Sequence, residues 1–348
     1  MKTLRFGVIG CGFMGGLHVL NAKHIPGVNV VAYADVRKES AEQFLKEYGG
    51  DYATNDADRI FGDKNVDAVL IQTGERYHPA LGISAAKAGK HTFMEKPVAV
   101  TVEDALELER EVRKSKVKYL VGLCNRLAPT VKRAKELLPR PWITYGQCSD
   151  TVSAQACHNL DLIVHLFHSA PLVSVYAAGG SYYELDQHLP ADSFIATLRF
   201  ADGSQACYIQ HGKAYNALMS KYSFQLFGKD RSVFLSRRFK ECHLSTNLKA
   251  PDFSTVFAGP DFTPTNAAEH HKDVRGPHGY MGHYEELVAL CDAIRNDTEP
   301  PMTIEHGRHV LQVEKAIFES IATGTLVDYP KFLARWDSKQ PVGSSSGQ

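Results

Sequence analysis

Gly10-Cys11-Gly12-Phe13-Met14-Gly15 spaces three glycines as G-x-G-x-x-G directly after the apolar run Phe6-Gly7-Val8-Ile9. Gly10 suits a tight turn, Gly12 lets a pyrophosphate approach the backbone, and Gly15 permits close helix–sheet packing. A helix opened by this turn directs unpaired N–H groups and its positive dipole end at a phosphate. The next apolar run ends in Asp35, close to the roughly 20-residue interval at which an acid meets an adenosine ribose. A carboxylate there repels a 2′-phosphate, which favours NAD over NADP; Arg37, two residues on, softens that preference.

Glu95-Lys96-Pro97 follows a second apolar run, at the carboxyl end of an expected strand. The residue before a proline is extended, which helps aim Lys96 outward, where an ammonium can hydrogen-bond a substrate oxygen and stabilise developing charge. Asp161 and His165 stand at i and i+4 and share a helix face. A histidine titrates near working pH and suits general-base chemistry, with a neighbouring carboxylate to orient it. His158 and His168 extend the same face, and His270, His271, His278 and His283 add to the count. No tight ligand motif accompanies them, so no metal is expected.

The elements that must position these groups follow from periodicity. Up to about residue 124, short apolar runs (6–9, 28–34, 66–71, 91–94, 118–123) alternate with amphipathic stretches (15–24, 39–47, 80–88, 102–115). This alternation predicts five parallel strands, covered on both faces by helices, in a doubly wound Rossmann domain over 1–124. Beyond residue 125 one helix (129–138) precedes alternating, aromatic-rich runs at 143–148, 173–183, 194–200, 205–210, 222–227 and 232–235. Asp202-Gly203 marks a hairpin between two of them. These predict an α+β domain on a mostly antiparallel sheet over 125–337. Helices at 284–295 and 307–323, a long loop over 250–279 and a disordered Gly/Ser-rich tail at 338–348 complete it.

Composition limits the function classes. The 348 residues carry 39 Lys+Arg against 39 Asp+Glu, so no net field attracts nucleic acid or an anionic membrane. The one dense basic run, Arg237-Arg238-Phe239-Lys240, reads as a solvated hairpin end. Seven scattered cysteines without C-x-x-C argue against a disulfide framework or zinc ribbon and for a reducing compartment. With neither a signal peptide nor a membrane span, a cytoplasmic protein is expected.

Together these residues resemble the glucose–fructose oxidoreductase / inositol dehydrogenase / MocA family. The likeness rests on the glycine hexamer, Asp35, Ala88-Gly89-Lys90-His91 with Glu95-Lys96-Pro97, Gly122-x-x-Asn125-Arg126, and Asp161-Leu162-Ile163-Val164-His165 as a D-x-x-x-H. It implies NAD(P)-dependent oxidation of a sugar or cyclitol hydroxyl, or reduction of the matching ketone, by a homodimer or homotetramer. Lys96, Asp161 and His165 would be catalytic, with His165 the general base. Beside the hexamer, Asp35 and Arg37, the cofactor would meet Thr73, His78, Glu95, Lys96 and Asn125. The substrate would meet Lys96, Arg126, Asp150, His158, Asp161, His165 and Tyr280. Relatives also include redox-neutral enzymes that hold NAD tightly, and related folds serve as NAD-bound sensors. This chain departs from the family pattern in His168 for an aspartate, Ala156-Cys157-His158-Asn159 for a glycine-containing run, and Thr73-Gly74 for Thr-Pro.

Overall fold

The computed structural model describes residues 2–184, 188–212, 221–246, 253–258, 276 and 279–337. His270, His271, His278 and the expected tail 338–348 lie outside these residues. The first unit runs β1 (Leu4–Ile9), α1 (Phe13–Ala22), β2 (Val28–Ala34), α2 (Lys38–Tyr48), β3 (Tyr52–Thr54) and α3 (Ala57–Gly62). It continues with β4 (Ala68–Ile71), α4 (His78–Lys87), β5 (His91–Met94), α5 (Val102–Ser115) and β6 (Tyr119–Val121). All six strands are parallel, in the order β3-β2-β1-β4-β5-β6. Every residue of β4 is buried, as a strand covered on both faces requires. The strand order reverses between β1 and β4, which opens a crevice beyond their carboxyl ends. The sheet has six strands where periodicity predicted five: β3 is three residues long and too short to carry a pattern.

The second unit contains α6 (Pro129–Leu137), β7 (Ile143–Ser149) and α7 (Val152–Asp161), which runs into a π-helical turn (Leu162–Phe167). Seven strands follow: β8 (Leu172–Gly180), β9 (Ser193–Phe200), β10 (Gln205–His211), β11 (Tyr222–Phe227), β12 (Ser232–Ser236), β13 (Glu241–Ser245) and β14 (Phe253–Ala258). The chain closes through α8 (His283–Asn296), α9 (Ile304–Thr323), β15 (Val327–Asp328) and α10 (Tyr329–Asp337). The sheet order is β14-β13-β12-β11-β7-β10-β9-β8-β15. Of the described pairings only β7 with β10 is parallel. On β9, buried Phe194, Ala196, Leu198 and Phe200 alternate with exposed Ile195, Thr197 and Arg199, so one face of the sheet carries the core. The Asp202-Gly203 hairpin forms between β9 and β10, with Gly203 at φ +87° and its N–H donating to the Phe200 carbonyl at 3.0 Å.

Two expectations change here. Within the predicted loop 250–279, β14 pairs with β13; the rest of that stretch, Gly276 and Gly279 apart, is outside the described residues. The Arg237–Lys240 run does turn between β12 and β13, but it is not solvated, since Phe239 and Lys240 are buried. Phe239 stacks on Tyr222 at 5.3 Å, which draws the turn inward.

The cores do not follow the chain order. Leu287, Leu290 and Cys291 of α8, with Met302, Ile304 and Leu311, join the cluster around Phe6, Leu70 and Phe93 of the parallel sheet. All seven cysteines are free thiols. No described helix is long and apolar enough to cross a membrane.

Candidate active site

The glycine turn between β1 and α1 sits at the reversal of strand order. Gly10 has φ +99°, and a Cβ there would lie 2.5 Å from the Gln72 carbonyl oxygen, so only glycine fits. A Cβ on Gly12 would meet nothing within 4 Å: this backbone faces open space. That clearance is what the close approach of a pyrophosphate needs, and α1 starts directly after it, at Phe13, with the positive end of its dipole. Beside it a cleft of about 510 Å³ is lined by Gly10, Gly12, Asp35, Arg37, Thr73 and Tyr77, among others. The Asp35 carboxylate ends β2, where it accepts from the Cys11 N–H and the Arg37 N–H, both at 2.9 Å. These amides fix its orientation at the cleft edge. The residues present therefore fit a dinucleotide.

A second cleft, of about 240 Å³, is lined from Phe13, the residue that follows Gly12, onward. Phe13 and Met14 of the glycine turn form its near wall, and Glu95 and Lys96 extend from β5. Gln155 and His158 face it from α7, Lys221, Tyr222 and Arg238 from the second sheet, and Met281, His283 and Glu286 from the start of α8.

Glu95 is buried, accepts from the Lys96 N–H at 3.1 Å and pairs with His18 Nε2 at 3.0 Å. Burial alone would raise its carboxyl; the His18 hydrogen bond and charge, with the Lys96 charge, outweigh this and bring it down to about 2. Glu95 is thus a fixed anion beneath the lysine and is committed to His18. The Lys96 ammonium donates to the Ala154 carbonyl oxygen at 2.5 Å. His158 is 6% exposed, and its Nδ1 has no hydrogen-bond partner among the described residues. Burial, followed by the Lys96 charge, holds its imidazole well below the usual histidine range. Both causes favour the neutral imidazole.

The Asp161–His165 pair forms, with Nδ1 to Oδ1 at 2.9 Å, but it does not line either cleft. His165 Nε2 meets His309 Nδ1 on α9 at 2.8 Å, which occupies both ring nitrogens. Asp161 is 1% exposed and takes both guanidinium branches of Arg126, whose third arm donates to the Pro301 carbonyl at 2.9 Å. The assignment of His165 as base and of Arg126 and Asp161 as substrate ligands is corrected accordingly. Arg126 and Asp161 form a buried ion pair between the turn after β6 and α7, and His165 carries the chain of contacts on to His309 of α9. His165 lies seven residues beyond His158, in the π-helical turn that follows α7.

Four further expectations are altered. Asp150 is not in the cleft wall; it forms an ion pair with Lys221, which is. Tyr280 is buried beside the cleft, with the Lys240 ammonium 4.5 Å from its ring centroid. Asn125 is buried in the turn after β6 and lines neither cleft. His78 is also buried and touches two backbone carbonyls, Pro97 at 2.6 Å and Thr73 at 3.0 Å. It ties the Thr73 loop to the Lys96-Pro97 turn. Among the described residues no cluster of three or more His, Cys, Asp or Glu is arranged to hold a metal ion.

The comparisons show the family and the fold. Residues 4–123 match the oxidoreductase family with an NAD-binding Rossmann fold, and residues 133–329 match the C-terminal alpha/beta domain of the same family. The chain belongs to the glucose–fructose oxidoreductase / inositol dehydrogenase / MocA family of oxidoreductases. It is 25% identical to an uncharacterised Bacillus subtilis oxidoreductase, YrbE, over 93% of this chain and 96% of that protein. It is 35% identical to the myo-inositol 2-dehydrogenase of Thermotoga maritima over 58% of this chain and 66% of that protein, just under two thirds of its length. The fold matches a levoglucosan dehydrogenase in complex with NADH at a TM-score of 0.81 and 21% identity, covering 94% of this chain and 100% of that one.

Proposed function

We propose that this chain transfers a hydride between a carbohydrate or cyclitol hydroxyl carbon and NAD, with Lys96 and His158 at the reacting end. One observation carries the reading: Lys96 and His158 share a small cleft with Phe13 and Met14 of the dinucleotide turn. The relatives support the substrate class, since they include inositol 2-dehydrogenases, a 1,5-anhydro-D-fructose reductase and a levoglucosan dehydrogenase.

Gly10, Gly12, Asp35 and Thr73 would hold the dinucleotide, and a bound nicotinamide supplies the two-electron acceptor. Lys96 donates a hydrogen bond to the substrate hydroxyl oxygen and stabilises the negative charge that grows there. The neutral His158 imidazole takes the hydroxyl proton as the C–H bond breaks, and returns it in the reverse direction. Glu95 and His18 keep the lysine turn in place from below. Asp35 supports NAD over NADP by repelling a 2′-phosphate. Exposed Tyr176 and Ile195 on the open face of the second sheet support self-association through that face.

The test is formation of reduced nicotinamide from NAD with inositols, aldoses and anhydrosugars. Turnover that is lost in Lys96→Ala and His158→Ala supports the reading. Turnover unchanged in both variants overturns it.

A further inference from the structure

We propose that Glu286, on the first turn of α8, is a specificity-determining residue whose carboxyl group donates a hydrogen bond to a second substrate hydroxyl in the small cleft. This rests on the hydride-transfer reading above and deepens it by one contact.

Glu286 lines the same cleft as Lys96 and His158. Its place is fixed by the entry into α8. The Glu286 N–H donates to the Gly282 carbonyl at 2.9 Å, and a Cβ on Gly282 would lie 2.2 Å from the Cys124 carbonyl oxygen. The helix therefore starts hard against the turn after β6 and brings Glu286, 1% exposed, beside His18 of α1. A single nitrogen, His18 Nε2, faces two carboxyl groups. It lies 3.0 Å from Glu95 Oε1 and 3.9 Å from Glu286 Oε1, so only Glu95 is within hydrogen-bond distance. Glu286 Oε2 has no hydrogen-bond partner among the described residues.

Two buried carboxyl groups around one nitrogen resist ionising together; the one with the hydrogen bond keeps the charge and the other keeps a proton. Glu95 is the anion of this pair. Burial, then Glu95 and Glu285, push the Glu286 carboxyl well above the usual carboxylate range, and the Lys96 charge, which acts the other way, is outweighed. The other titratable groups near it are the Cys124 thiol, which burial pushes up, and His283 of its own helix. Across the cleft stand His158, Arg238 and Lys221, the last paired with Asp150. A neutral carboxyl carries an O–H, and burying that donor without an acceptor is costly. An acid kept neutral by its surroundings serves as a hydrogen-bond donor at working pH. The described residues place no acceptor within reach of Oε2. A bound polyol offers one at every hydroxyl oxygen. Lys96 and His158 serve the reacting hydroxyl, so Glu286 reads another.

The experiment uses the purified full chain and four polyols: myo-inositol, scyllo-inositol, glucose and levoglucosan. Infrared difference spectra between the parent and Glu286→Gln, at pH 7 with NADH bound, read the carbonyl stretch of a protonated carboxyl. The band is expected in the parent, absent from the variant, and moved to lower frequency when one of the polyols binds. Kinetics with NAD gives the second readout. Glu286→Ala is expected to lose about ten- to a hundredfold in kcat/KM, and Glu286→Gln, which keeps a donor, to recover most of that loss. In the parent kcat/KM falls at alkaline pH as Glu286 ionises and its donor is lost; in Glu286→Gln that fall moves to higher pH. A parent without the band, or with a band that none of the four polyols moves, overturns the proposal. So does an undiminished Glu286→Ala, an equal loss in the Gln and Ala variants, or a loss confined to NAD affinity, which puts the contact on the cofactor. NADH formation with no such band removes this inference alone. A band that moves with a polyol, in a chain that transfers no hydride, removes the oxidoreductase reading and leaves the donor standing.

Discussion

The Lys96 ammonium is tethered to the Ala154 carbonyl, and Ala154 stands four residues, one helical turn, before His158. The two groups placed at the reacting end are therefore positioned by the same short stretch of α7, although one comes from the parallel sheet and the other from the second unit. No carboxylate occupies position 154, and His158 Nδ1 has no partner among the described residues.

That arrangement separates two candidate bases. His158→Ala is expected to lower kcat by about 10²–10⁴-fold, the usual range for a positioned general base. His165→Ala is expected to stay within about tenfold of the parent, since its ring touches Asp161 and His309 and no cleft. Steady-state kinetics on folded variants decides; an equal collapse in both returns the base to the Asp161–His165 pair.

Ala154→Asp places a carboxylate at i−4 to His158. An adjacent anion favours the protonated imidazole, so the acid limb of the kcat/KM profile is expected to move to higher pH by about one unit. In the parent that limb is expected below the usual histidine range of about 6.5, because burial and the Lys96 charge lower the His158 pKa. A parent profile whose acid limb lies above pH 6.5 contradicts the assignment.

Asp35→Ser removes the charge that faces the ribose end of the larger cleft. Affinity for NAD is expected to fall by about ten- to a hundredfold with the loss of charge-assisted hydrogen bonds, and affinity for NADP to rise. Titration of both cofactors on the same variant reads the switch. Unchanged discrimination would place the ribose elsewhere.

Acid should destabilise the fold through its depressed histidines. Burial brings His168 to about 4, His306 to about 4 and His309 to about 3. In the unfolded chain each accepts a proton near pH 6.5, so the folded state binds fewer protons between that pH and about 4. Their contribution to stability is complete above pH 6.5 and is lost as pH falls through this window. Each fully differing group adds about 1.4 kcal/mol per pH unit to the slope. Denaturant melts at pH 7.5, 6.0 and 5.0 measure it; a flat profile refutes the prediction. Replacing His168, which stacks on Phe200 at 4.2 Å and bonds Ser204 and Thr144, tests one group alone.

Much of the cofactor end was legible because its chemistry is local. Gly10, Gly12 and Asp35 lie within one βαβ unit, and strand alternation carries them to a shared crevice. The substrate end was legible only in part. Lys96 is marked by its place after β5, and His158 was expected among the substrate ligands, but Asp161 and His165 fit an i, i+4 pattern that the fold uses for a buried link. Spacing along a helix says which residues share a face, not which face meets the cleft; the packing of α7 against α9 decides that. Lys221 carried no sequence signal, and Arg238 lay within a basic run that looked solvated. Its placement depends on Phe239 stacking on Tyr222, a contact between the β12–β13 turn and β11.

The nucleotide-binding unit borrows part of its interior from the far end of the chain. Leu287, Leu290, Met302 and Leu311 complete the cluster around Phe6, Leu70 and Phe93, and the Val121 N–H donates to the Met302 carbonyl at 2.8 Å. During synthesis the six-stranded sheet therefore emerges from the ribosome with one flank bare and stays so until the sequence through Leu311 has been translated. The dinucleotide turn is encoded first, yet the core of the sheet that carries it is closed only by residues from the far end of the chain.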